Sequence, residues 1–220
     1  VLLAPLSMGA STSRPRLVTI TNKILLFCQT AANTLSVKAI DPDDLATSAA
    51  AAWTSVDTVL STYYDVKKLN STKAVVVWRR TTTTSYGMAT VTETPTVSAT
   101  TKAATSSAAM AVAPTVAGTK FAVIRWKTAD GVYADVWNED FSGIAASVLL
   151  QANTTQQEHM TAAFRSTTDA SEYRCYAYWH EAPSASGSSY SAFPTNYNWI
   201  NTAGTAGTAG IFTRHACLAS

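Results

Sequence analysis

Charge is scarce in this 220-residue sequence: 14% of the residues are Asp, Glu, Lys or Arg, and the formal net charge is +2. A balance so small and so dispersed describes no extended basic surface for nucleic acid, and it names no partner class. Cysteine is nearly missing. Cys28, Cys175 and Cys217 are odd in number, far apart and without a Cys-x-x-Cys pair, which points away from a disulfide framework or a zinc knuckle and toward a reducing compartment. Glycine, at nine residues, forms no phosphate-binding loop. Gly-x-Ser-x-Gly and His-Glu-x-x-His are absent too, so the common hydrolase and nucleotide-binding routes lack their signatures. Long apolar runs are also wanting: the opening stretch 1–6 is too short to span a membrane and has no basic segment before it. The first residue is Val, and the sequence reads as a chain entered partway, a segment of a longer polypeptide.

What is present is hydrophobic and β-prone. Hydrophobic residues make up 47% of the chain, ample for a core, and Thr, Ser and Asn supply most of the polarity, which suits half-buried strands and solvated turns. Four apolar runs share one shape: 23–29, 73–79, 121–127 and 174–180. Aligning Cys28, Trp78, Trp126 and Trp179 gives steps of 50, 48 and 53 residues. Each run is short, bounded by turn residues and rich in β-branched or aromatic side chains, the pattern of a buried strand.

A second strand follows each run, at 34–40, 86–92, 132–137 and 197–200, across turns with hairpin chemistry such as Asp130-Gly131. An acidic or Pro-containing corner comes next, Asp41-Pro-Asp-Asp44 in the first copy, Glu93-Thr-Pro95 in the second and Asn138-Glu-Asp140 in the third, and a weaker strand leads away from it. A modest strand also precedes each run, near 16–21, 63–69, 110–116 and 160–166, giving four strands per copy. The expected fold is therefore all-β, a β-propeller-like array of about four antiparallel four-stranded blades, with β-sandwich domains as the alternative. One β-repeat domain spans 1–220, with approximate repeats at 16–60, 61–109, 110–157 and 158–220. Two stretches break the period, the Ser-rich 183–191 and the Thr-Ala-Gly run at 202–210, and both read as solvated loops.

No catalytic, cofactor or metal residue is assigned. The Asp41–Asp44 corner has clustered carboxylates, yet its spacing is wrong for an EF-hand loop and it recurs in two other copies, as a structural turn does. His159, His180 and His215 have no partners at zinc spacing, and His180 falls where Gln29, Arg79 and Lys127 stand in the other copies. A glycosidase needs two opposed carboxylates, and the Ser-x-Asp-x-Gly-x-x-Trp box of sialidase blades is missing. Lys67, Lys68 and Arg165 fall on the expected innermost strands, where plain solvation or contact with a polyanion are the two readings. Asn70 and Asn153 open glycosylation tripeptides of a kind that chance supplies in a Thr-rich chain. The aromatic excess of the fourth copy marks an interaction surface at Tyr190, Phe193, Tyr197 and Trp199.

Runs such as 73–80 and 121–138, rich in Thr, Ser and Ala across a cysteine-poor repeat, resemble the propeller part of the tail nozzle (tail tubular protein B type) of short-tailed bacteriophages. The resemblance implies a non-enzymatic structural subunit of the virion, assembled with copies of itself and with other virion proteins around a channel that passes DNA. It carries no motif positions and so assigns no site residue. The alternative is a carbohydrate-binding or carbohydrate-degrading propeller.

Overall fold

The computed structural model describes residues 13–81, 85–103, 110–127, 130–152, 157–165, 174–181 and 195–212. They form four antiparallel four-stranded sheets in sequence order. The first holds β1 (Ser13–Ile20), β2 (Lys23–Ala31), β3 (Thr34–Ile40) and β4 (Thr54–Asp57), and the second β5 (Leu60–Lys68), β6 (Lys73–Arg80), β7 (Ser85–Thr92) and β8 (Val97–Ala103). The third holds β9 (Met110–Pro114), β10 (Lys120–Lys127), β11 (Gly131–Asn138) and β12 (Gly143–Ala152). The fourth holds β13 (Gln157–Arg165), β14 (Arg174–Glu181), β15 (Thr195–Asn201) and β16 (Gly210–Phe212). Each strand pairs with its neighbour in sequence, so every sheet is a simple meander. One helix, α1 (Leu45–Ala50), lies between β3 and β4; the Asp44 carboxylate caps it by accepting from the Thr47 N–H at 3.0 Å.

The sheets stack face to face through three apolar layers. Leu25, Phe27, Leu35 and Val37 of the first sheet meet Val66, Ala74, Val76 and Trp78 of the second. Val75, Val77 and Met88 of the second meet Val112, Phe121 and Val123 of the third. Ala122, Ile124, Val132 and Ala134 of the third meet Ala177, Trp179 and Ile200 of the fourth. Because successive side chains of a strand point to opposite faces, the inner sheets need apolar residues on both faces, which is why their second strands carry apolar runs such as 74–78 and 121–124. The first strands abut in succession, β1 on β5, β5 on β9 and β9 on β13, and so line an axis. Among the described residues β13 has no comparable packing back onto β1.

Facing directions correct the alignment of the third copy. Trp78 and Trp179 each point to the preceding sheet, where the indole N–H donates to Asp57 Oδ2 at 2.7 Å and to Gln151 Oε1 at 3.0 Å. Trp126 points the other way, toward the fourth sheet. The structural counterpart of Trp78 is Arg125, since each stands five residues after the basic residue that opens its strand, Lys73 or Lys120. A slip of one residue transfers a side chain to the opposite face. Trp126 accordingly misses the acceptor its counterparts reach, and its Nε1 is buried without a hydrogen bond. The equivalence of His180 with Lys127 shifts likewise to Trp126.

The acidic corners tie each sheet to the one before it. Glu93, after β7, accepts the Asn22 N–H from the β1–β2 turn at 3.2 Å, and Glu139, after β11, pairs with Lys73 at the start of β6. Asp41 instead pairs with Lys23 inside its own sheet. The Asp43 N–H donates to Asp41 Oδ1 at 3.0 Å, the self-hydrogen-bonded turn that such a corner makes.

Near the axis, the Asp65 carboxylate of β5 accepts the Val112 N–H of β9 at 3.0 Å and so blocks a free strand edge. Burial outweighs that bond and raises the Asp65 pKa above the ordinary carboxylate value. A folded-state pKa above the unfolded one means that stability is greatest below the unfolded value and is lost as pH rises through the folded one. Asp65→Asn keeps an acceptor for Val112 and removes that loss. Urea titrations at pH 3.5 and pH 7 are expected to show the variant gaining on the parent at the higher pH; a parallel response of both proteins would exclude Asp65 as the cause.

Candidate functional site

The loop between β11 and β12 is the most elaborate of the corners. Asp140 Oδ1 accepts from the Ser142 N–H at 2.9 Å and from the Ser142 hydroxyl at 2.6 Å, while the Phe141 N–H donates to the Asn138 carbonyl at 2.9 Å. The tight turn holds Phe141 at φ 66°, in the left-handed region. Its ring meets Phe121 edge-on at 6.3 Å between centroids, and its carbonyl accepts from Lys102 at 3.1 Å. The hydroxyl and N–H of Ser142 hold the Asp140 carboxyl below its usual pKa, so it is ionised across the neutral range.

This loop forms one wall of a groove of about 510 Å³ between the second and third sheets. Asn138, Glu139, Asp140 and Phe141 line that wall together with Thr119, and Lys73, Thr90 and Ser98 supply the facing one. An amide, two carboxylates, an ammonium and three hydroxyls thus surround a half-buried aromatic ring. Such a lining can accept from and donate to adjacent hydroxyl groups while the ring covers an apolar face. Among the described residues no group of three or more His, Cys, Asp and Glu side chains is placed to hold a metal ion.

The same pair of sheets holds a second polar cluster, deeper and closed. Arg125 Nε donates to Asp135 Oδ2 at 2.8 Å and its Nη2 to the Ser147 hydroxyl at 2.8 Å; Tyr86 donates to the same Asp135 oxygen at 3.0 Å and accepts from Trp137 Nε1 at 3.1 Å. With Arg125 1% and Asp135 2% exposed, this network is a strut between sheets and not a site.

Of the residues expected to form an interaction surface, Tyr190 and Phe193 lie outside the described residues, as does the Ser-rich stretch 183–191. Tyr197 and Trp199 lie on β15, half-buried, on the face of the fourth sheet turned away from the third. Arg174 stands 4.4 Å from the Trp199 ring, and Tyr178 packs 6.4 Å from Tyr197. The Thr-Ala-Gly run is more than a solvated loop, because its glycines make room for these rings. A Cβ on Gly207 would fall 2.1 Å from Trp199 Nε1, and one on Gly210 2.5 Å from the Tyr197 ring. The loop of the candidate groove escaped sequence reasoning as a site because Asn138-Glu-Asp140 was counted among recurring turns; the facing Lys73 is distant in sequence.

No protein-family model matches the sequence, and no curated protein matches it. Solved structures do. AofleA from Arthrobotrys oligospora superposes with a TM-score of 0.59 at 10% identity, over 90% of this chain and 56% of its own. The SapL1 lectin in complex with alpha methyl fucoside gives 0.56 at 11% identity, over 93% and 66%. A fungal lectin of Aleuria aurantia, described as a six-bladed β-propeller with a novel fucose recognition mode, gives 0.50 at 14% identity, over 92% and 62%. The fold is that of a β-propeller. Its four sheets are blades, and the chain spans between 56% and 66% of the length of these three proteins.

The comparison corrects the tail-nozzle expectation. The named lectins are not virion proteins, so the reading of a bacteriophage structural subunit located in the virion is overturned. The texture that carried it has another physical source: Ala74, Ala89, Ala111, Ala113, Ala122, Ala134 and Ala177 are buried between blades, where small side chains let sheets pack closely.

Proposed function

We propose that this chain is a carbohydrate-binding β-propeller and that the groove between its second and third blades takes a sugar. The groove lining carries the reading: hydrogen-bonding side chains of both signs converge around the Phe141 ring in a volume of about 510 Å³. The lectins among its structural neighbours, one of them holding alpha methyl fucoside, support the ligand class and make methyl fucoside the first probe. Binding without turnover is the reading that the placement of the acids supports. Glu139 and Asp140 are neighbours on one wall, and the facing wall offers Lys73, Thr90 and Ser98, so among the described residues no carboxylate pair straddles the groove as hydrolysis of a glycosidic bond requires.

Calorimetric titration of the chain with methyl fucoside, and with a panel of neutral oligosaccharides, is expected to give saturable binding. Ser98 is exposed on β8, so Ser98→Trp fills the groove without touching the core. It is expected to abolish binding at an unchanged melting temperature. Glu139→Gln, which removes the charge that positions Lys73, is expected to weaken binding by more than about tenfold. Absence of binding to every sugar on the panel, or binding indifferent to Ser98→Trp, would sink the proposal, and release of a cleaved sugar would replace it with a hydrolase.

A further inference from the structure

Cations on the outer three strands of each blade are mostly engaged. Lys23, Lys73, Arg80, Arg125 and Lys127 pair with carboxylates, Lys38 donates to the Ala49 carbonyl, and Lys102 and Arg174 stand against indole rings. The first strands differ. Arg16 on β1, Lys67 and Lys68 on β5 and Arg165 on β13 are all exposed, and no ion pair holds any of them among the described residues.

These strands line the axis, and their order brings Lys67, Lys68 and Arg165 to one rim, with Arg16 four residues back from the corresponding turn of the first blade. Lys67, Lys68 and Arg165 occupy the strand ends that lead into the first turn of their blades, and that turn lies at the same rim in every blade of a meander. Arg16 of β1 and Lys67 of β5 both lie close enough to Asp65 to draw its carboxyl down against the effect of burial. That carboxylate is itself occupied by the Val112 and Val66 N–H groups. Beside Lys68, between the inner turns of the second and third blades, a further groove of about 530 Å³ has a mixed lining, in which Asn70, Ser71 and Thr115 stand among the apolar Leu69, Pro114 and Val116.

We infer that the inner rim of the arc binds an acidic polysaccharide, one bearing uronate or sulfate groups, with Lys67, Lys68, Arg16 and Arg165 contacting its charges and Asn70, Ser71 and Thr115 its hydroxyls. Exposed cations held in no ion pair around a concave axis focus a positive potential that attracts a polyanion, and the amide and hydroxyl groups beside Lys68 suit a polymer rich in hydroxyls. The choice of a glycan rests on the sugar-binding reading above. The site itself is separate from the Phe141 groove and shares no residue with it.

The test uses the whole chain, a heparin hexasaccharide, an alginate oligomer and a 20-base-pair DNA duplex as probes, with fluorescence anisotropy at 50 and 300 mM NaCl. At least one acidic saccharide is expected to bind at 50 mM and to weaken by more than about tenfold at 300 mM, as release of counterions from several contacts requires. The variant Lys67→Ser/Lys68→Ser/Arg165→Ser is expected to lose that binding while keeping its melting temperature and its affinity for a neutral sugar. Ser98→Trp is expected to do the reverse, which separates failure here from failure of the neutral groove. Undiminished binding by the triple variant, no binding of either acidic saccharide at 50 mM, or tighter binding of the duplex would each overturn the inference.

Discussion

Asp135→Ala is expected to destabilise the fold by about 3–5 kcal/mol, the usual cost of removing one partner of a buried ion pair. The carboxylate is the centre of the strut between the second and third blades: it receives Arg125 and Tyr86 on one oxygen and the Ser147 N–H on the other. Without it the guanidinium stays below the surface, 1% exposed, held by the neutral Ser147 hydroxyl but with its carboxylate partner gone. The Tyr86 hydroxyl cannot take over as an anion, since burial, the largest cause, itself pushes its pKa far upward. The double variant Arg125→Met/Asp135→Leu is expected to recover most of the loss, because an apolar pair of similar volume avoids stranding a charge. Urea midpoints of the three proteins, followed by tryptophan fluorescence, make the comparison. A single variant that loses less than about 1 kcal/mol would show the pair to be solvated instead.

Gly87→Ala is the second large effect. Gly87 pairs across the ladder with Trp78, and a Cβ there would come within 2.0 Å of the indole ring. The ring has little freedom to move away: it is 1% exposed, and its Nε1 donates to Asp57 on the preceding blade. Overpacking of this kind costs about 1–3 kcal/mol, and the upper end is expected where the ring is held by a hydrogen bond. In a Trp78→Leu background the same alanine is expected to cost far less, so the two substitutions are non-additive by about 0.5–3 kcal/mol. Additive losses would mean that Gly87 is needed for its backbone and not for the room it leaves.

The strands that carry the core were legible because burial on both faces leaves an unambiguous trace. Runs such as 74–78 and 121–124 are apolar without interruption, and the structure places them in the second strands of successive blades. Phase within a strand was less legible. Matching Trp126 to Trp78 is natural by residue type, yet face is set by distance from the start of the strand, and the basic residues Lys23, Lys73, Lys120 and Arg174 mark that start in all four blades. Helix α1 left little signal at six residues. The candidate groove was hidden for a different reason: Glu139 is recognisable as a turn residue, whereas its pairing with Lys73 belongs to the stacking of blades, which local pattern does not encode. Tyr197 and Trp199 stood out by composition, but the glycines that accommodate them, Gly210 and Gly207, looked like filler until their contacts were seen.

The corners that reach backward give the molecule a direction in time. Glu93 grips the first turn of the blade before its own, and Glu139 grips the first strand pair of the blade before that corner's own. A chain emerging from the ribosome in N-to-C order presents each turn first and the carboxylate that fastens it only one blade later. The first and second blades are thus each secured by their successor, and each waits for the next blade's corner before it is fastened.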